Sequence, residues 1–195
     1  SVDGITYYLL RYLPGTDGES FLDSTAPDAP FTDTPPEEGA NSAPPLSKWA
    51  FYFRGRTYYG GNPENPNTVF YSGIDGAKEA VNPKEFVIVG NNIAEPLTGF
   101  ASAGDFVLLF KERSTYMLTQ DKSGLPIVTP VSTSVGAISD KAAVGFGGRV
   151  FFVSSSGLYA FDGSKVVPVS SDIADIVKRL PPAYLKNCFG WADPI

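Results

Sequence analysis

Apolar and polar positions alternate over short runs along this chain, and clusters of turn-forming residues close each run. The clearest stretch is 144–165, VGFGGRVFFVSSSGLYAFDGSK. Gly147-Gly148 supplies the positive φ of a tight reversal. Arg149–Ser154 (RVFFVS) is a β-branched and aromatic run of strand length. Ser156-Gly157 turns the chain, residues 158–161 (LYAF) run back, and Asp162-Gly163 closes the unit with a strong hairpin signal.

Two upstream stretches repeat this order. Gly55-Arg56 leads into Thr57-Tyr58-Tyr59, a loop, Val69-Phe70-Tyr71 and a turn at Asp75-Gly76. Gly104-Asp105 leads into 106–110 (FVLLF), a turn near Arg113-Ser114 and 115–118 (TYML). The opening glycines Gly55, Gly104 and Gly148 recur at a period of roughly 45 residues, the range of propeller blades of about four strands. The pattern predicts an all-β fold, a β-propeller with one short helix. Its blades fall at about 48–92, 93–138 and 139–170. Three blades and a remainder fall short of the four or more that closed rings use. The chain is therefore expected to be part of a longer protein, holding about three to four blades of the ring.

The remaining segments fit around these units. The aromatic run 5–13 (ITYYLLRYL), with the turn cluster 14–18, reads within 1–19 as a strand of a preceding blade. Residues 20–47 change to Pro, Asp, Ser, Thr and Glu and read as an exposed connection in polyproline-like geometry, too polar to offset its ordering entropy. In 48–61, Phe51 and Phe53 alternate with Tyr52, as in a strand with one buried face. Residues 86–89 (FVIV) form a short outer strand. Pro126 and Pro130 mark 127–131 as an edge strand, because a central one would lose ladder hydrogen bonds. Residues 171–180 predict the helix: Ser170 or Ser171 caps it, Asp172 suits its positive end, and Ile173, Ile176, Val177 and Leu180 share a face. Pro181-Pro182 stops it, and 186–191 (KNCFGW) reads as the first strand of a next blade.

Composition narrows the chemistry. The 195 residues contain one cysteine, Cys188, and no histidine. An intrachain disulfide, a cysteine-based metal site and the Ser-His-Asp and Cys-His mechanisms are thereby excluded for this chain. Cys188 reads as a small buried apolar residue. A formal charge of −6 argues against wrapping nucleic acid through phosphate neutralisation. No apolar run reaches the ~20 residues of a membrane helix, so no membrane partner is expected. The opening residues do not read as a signal peptide, and Ser1 is not expected to be the native start.

Taken together, KWAFYFRGRTYYGG with NTVFYS, PLTGFASAGDFVLLFKERSTYMLT, and VSTSVGA with AAVGFGGRVFFVSSSGLYAFDG resemble the propeller proteins of short-tailed bacteriophages. These are the packaged-DNA-stabilisation and tail-nozzle (tail tubular) proteins. The most specific pieces are Leu108-Leu109-Phe110-Lys111-Glu112-Arg113 with Tyr116, and Phe152-Val153-Ser154 with 157–163 (GLYAFDG). Thr6-Tyr7-Tyr8, Arg11-Tyr12 and Asp17-Gly18-Glu19-Ser20 are similar to the family's aromatic strand ahead of a Gly-Glu-Ser turn. The resemblance implies a six-bladed, non-enzymatic structural protein of the virion tail, assembled in the cytoplasm of the bacterial host. It implies a homo-oligomeric ring that extends the channel below the portal and adaptor and meets other tail proteins. Packaged DNA would be retained and then passed without sequence-specific binding. No catalytic, cofactor-binding or metal-binding residue, and no cofactor, is expected.

Two other classes compete. A carbohydrate-binding or glycan-hydrolysing propeller could draw a carboxylate pair from Glu95, Asp105, Glu112 and Asp140, although 21 acidic residues make some pair inevitable. Ser72-Gly73-Ile74-Asp75-Gly76 lacks the spacing and the Trp of sialidase turns. A calcium site at Asp75-Gly76 or Asp162-Gly163 competes with ordinary hairpin turns at the same places. Gly147-Gly148-Arg149-Val150-Phe151-Phe152 is kelch-like, as in cellular interaction propellers, but the second Gly-Gly and the Trp are missing.

Overall fold

A computed structural model describes residues 44–74, 84–91, 95–169 and 174–192. The chain divides into two units, Ser1–Asn41 and Ser42–Ile195, and every described residue belongs to the second. The run at 5–13, the turn at 14–18, most of the 20–47 connection, the Asp75-Gly76 turn and the helix start at 170–173 lie outside the described residues.

The described part is all-β in its main body: three four-stranded antiparallel sheets, each a meander of consecutive strands. The first contains β1 (Trp49–Phe53), β2 (Arg56–Gly60), β3 (Thr68–Tyr71) and β4 (Phe86–Ile88). The second contains β5 (Leu97–Ala103), β6 (Phe106–Lys111), β7 (Thr115–Gln120) and β8 (Pro126–Ser132). The third contains β9 (Ala143–Phe146), β10 (Arg149–Ser154), β11 (Gly157–Phe161) and β12 (Val166–Pro168). Edge strands carry prolines, Pro126 and Pro130 on β8 and Pro168 on β12, where no ladder hydrogen bond is lost.

Each sheet opens with a two-residue reversal of the type that matches strand twist. Arg54 and Gly55 have φ of 45° and 83°, and Gly147 and Gly148 of 58° and 73°. Only Gly104, at 61°, is positive in the second sheet's turn, so the glycine stands first there and second in the first sheet. Aligning the copies on glycine thus shifts the second by one residue. The turn between β10 and β11 is Ser155-Ser156, one residue earlier than the expected Ser156-Gly157. Asp162-Gly163 does not close a two-residue hairpin, because residues 162–165 all separate β11 from β12.

Alternation along the strands sends side chains to both faces of the middle sheet. Val107, Leu109 and Leu118 face the first sheet and join Trp49, Phe53, Tyr58, Val69 and Tyr71 in one core. Leu108 and Phe110 face the other way and pack with Val150, Phe152 and Phe161 of the third sheet. This explains why β6 reads as an unbroken apolar run: both of its faces are covered, and Val107 through Phe110 are all 0% exposed. Rings lock the layers, with Phe51 and Phe100 at 4.4 Å and Phe110 and Phe152 at 4.9 Å between centroids.

The first strands of the second and third sheets come close to each other. A Cβ on Gly145 of β9 would overlap the Ser102 carbonyl of β5, and one on Gly99 of β5 would overlap the Asp140 backbone ahead of β9. Connections between sheets cross the turn between second and third strands. Val89 N–H donates to Asn67 O and Leu97 N–H to Pro66 O, both at 2.9 Å. In the next sheet, Thr115 Oγ1 donates to Val135 O at 2.8 Å.

The end of the described chain departs from expectation. Two short helices form, α1 (Ala174–Arg179) and α2 (Pro182–Lys186). Pro182 does not merely stop the first helix; it occupies the first turn of the second, where its missing N–H costs nothing. Residues 186–191 are not a strand, and Phe189 and Trp191 are 80% and 76% exposed. The apolar face expected for the helix is only partly used: Val177 packs beside Ile138, Ala142 and Leu185, whereas Ile176 is 61% exposed. Cys188 is half-buried at the margin of that cluster rather than fully enclosed.

Candidate functional site

The three sheets bring their entry points to one cavity. Lys48 precedes β1, Leu97 and Thr98 open β5, and residues 138–141 lead into β9; together with Lys186 and Asn187 they line a space of about 450 Å³. Its floor is apolar, from Leu97 and Ile138. Lys48 Nζ stands 3.6 Å from Asp140 Oδ1. Thr98 Oγ1 is already committed, donating to Ala137 O at 2.7 Å. Ser139 Oγ is buried with no hydrogen-bond partner. Asp140 and Ala142 bound a 3₁₀ turn, which orients the peptide ahead of β9.

Two cations are enclosed between the first and second sheets. Arg56 is 6% exposed. Its Nε donates to Gly124 O at 2.9 Å, its Nη1 donates to Ser72 O, and its guanidinium lies 5.1 Å from the Tyr71 ring centre. A planar fork that spans two carbonyls suits arginine and not lysine. Lys111 is 0% exposed, with Nζ 5.8 Å from the Tyr116 ring centre. Burial pushes its ammonium below the usual lysine range, opposed by the nearby Glu95 carboxylate. Burial likewise pushes the Tyr58 phenol up, although Gln120 Nε2 donates to its oxygen at 3.0 Å.

Three of the four carboxylates that could serve a glycosidase, Glu95, Asp105 and Asp140, have partners in the structure. Asp105 sits in the turn before β6 and pairs with Arg54 at 3.0 Å while 96% of its side chain stays exposed. Glu112 follows β6 at its other end. Seven residue steps of extended chain separate Asp105 and Glu112 by roughly 23 Å at about 3.3 Å per residue, too far for a hydrolytic pair at about 5–10 Å. Glu95 accepts from Arg113 N–H at 2.6 Å and Ser114 Oγ at 3.4 Å, tying the β6–β7 turn to the strand entry. Asp140 is held by Lys48.

The Asp162-Gly163 candidate for calcium is a turn. Asp162 Oδ1 accepts from Ser164 N–H at 2.9 Å and Lys165 N–H at 3.0 Å. The amides of Lys165 and Ser164 hold its carboxyl below the usual range. Among the described residues, no three His, Cys, Asp or Glu side chains cluster to hold a metal ion. No helix among them is long and apolar enough to cross a membrane.

The cavity was not legible in the sequence, because its lysines lie far apart in the chain and only the sheet order unites them. Arg56 and Lys111 carried a weak signal, each a single cation at the end of an apolar strand. The chain matches no protein-family model and no curated protein.

Proposed function

We propose that the chain is a structural portion of a six-bladed β-propeller in the tail of a short-tailed phage, one copy in a homo-oligomeric ring around the DNA channel. Successive four-stranded meanders, each laid on the last, are the units from which propellers are built. The observation that carries the reading is the Lys48–Asp140 pair. It joins the entry of the first sheet to the turn that enters the third, which supports sheets arranged about a shared axis.

The tail assignment rests on the resemblance of the strand sequences to tail-nozzle proteins. A formal charge of −6 suits it, because like charge lets DNA pass without being gripped. Electron microscopy and native mass measurement of the purified chain test the reading. Rings of six or twelve copies are expected. A monomer that releases sugars from pooled glycans would overturn it in favour of a hydrolytic propeller.

A further inference from the structure

We propose that the cavity at the strand entries binds a phosphate-type oxyanion. Its charged lining consists of three lysines, Lys48, Lys141 and Lys186, against one carboxylate, Asp140. Lys141 and Lys186 are exposed at its rim and make no ion pair among the described residues. Lys48 shares the cavity's single carboxylate, Asp140. Positive charge is therefore in excess at this cavity, in a chain of formal charge −6.

Ammonium groups donate and cannot accept. Ser139 lines the cavity, with its hydroxyl oxygen enclosed behind the wall. Asn187 adds an amide. The one carboxylate stands beside Lys48 at 3.6 Å, so the charged lining carries a net positive charge, which disfavours a metal cation. An acceptor-rich dianion matches the set. The cavity volume of about 450 Å³ falls within the range of small-ligand sites. Lys48, Lys141 and Lys186 come from the approaches to two sheets and from the end of α2, so only the folded chain assembles them.

The shared chemistry is a phosphate, whether free in solution or part of a nucleic-acid backbone, and two titrations separate these. The ¹⁵N-labelled chain is titrated with inorganic phosphate, and separately with a short single-stranded DNA, at constant ionic strength. Saturable shifts are expected at the amides of Ser139, Asp140 and Lys141. The double variant Lys141→Gln, Lys186→Gln should weaken binding by about tenfold or more through loss of charge-assisted hydrogen bonds. Lys122→Gln with Lys165→Gln, on exposed loops elsewhere, should leave it unchanged. Shifts with phosphate alone assign a free anion; shifts of the same amides with DNA assign a backbone phosphate. No saturable shift in either titration, or equal loss in the two double variants, overturns the site whatever the ring experiment returns.

Discussion

Lys48, the residue before β1, meets Asp140, which opens the turn into β9, at 3.6 Å. Face-to-face sheets stand about 10 Å apart, so a parallel stack would hold the first and third sheets about 20 Å apart. That gap exceeds the combined reach of a lysine and an aspartate. Asp140, however, stands in the turn ahead of β9 with its backbone against Gly99 of β5, and Gly145 of β9 lies against Ser102, so the entry to the third sheet closes onto β5 and comes within reach of Lys48.

Gly145→Ala tests the close approach. Its added methyl would overlap a backbone carbonyl rather than a movable side chain, so a loss of about 1–3 kcal/mol is expected. Urea unfolding with an unchanged slope measures it. Gly147→Ala meets no atom within 4 Å and should show only the cost of its φ of 58°, about 1 kcal/mol.

Arg56 and Arg54 lie two residues apart but should differ in effect. Arg56→Ala leaves two enclosed carbonyls without their charged donor, and about 2–4 kcal/mol should be lost. Arg56→Lys should recover only part, because an ammonium cannot span both acceptors. Asp105→Asn, which breaks the exposed pair with Arg54, should change stability by less than about 1 kcal/mol. Thermal melts of the three variants side by side check the order.

Alkaline pH should act in two opposite stages. Lys111 titrates in the folded chain below 10.5, so between that lowered value and 10.5 the unfolded chain binds more protons and stability rises with pH. Tyr58 and Tyr71 titrate above 10.0 when folded, so beyond that point the unfolded chain loses its phenolic protons first and stability falls. Lys111→Met should abolish the rise and keep the fall. Denaturation midpoints followed across the alkaline range would show both limbs.

Asp162 should contribute on the acid side. Its folded value lies below 3.8, so its contribution is present above that pH and disappears as pH falls through the folded value. Asp162→Ala should lower the melting temperature at neutral pH and flatten this part of the acid limb. A variant as acid-sensitive as the parent would show that the turn does not depend on the carboxylate.

Strands built from large β-branched or aromatic residues were legible from their letters. RTYYG, FVLLFK and RVFFVS became β2, β6 and β10, and the prolines of 126–132 marked an edge. The first strands of the second and third sheets were obscure, because LTGFASA and AVGF carry the small residues that a near neighbour demands and that strand propensity disfavours. The stretch at 186–191 misled for the opposite reason. Its apolar letters suit a strand, but Pro182 starts a helix just before it.

By itself the sequence determined an all-β chain of repeated hairpins without histidine chemistry, since turn glycines and alternating side chains act over a few neighbouring residues. Only the tertiary structure decided that β6 is covered on both faces, that Arg56 and Lys111 are enclosed, and that Lys48, Asp140, Lys141 and Lys186 share one cavity. Those relationships join residues many positions apart, and they arise from how whole sheets pack rather than from any local run of residues.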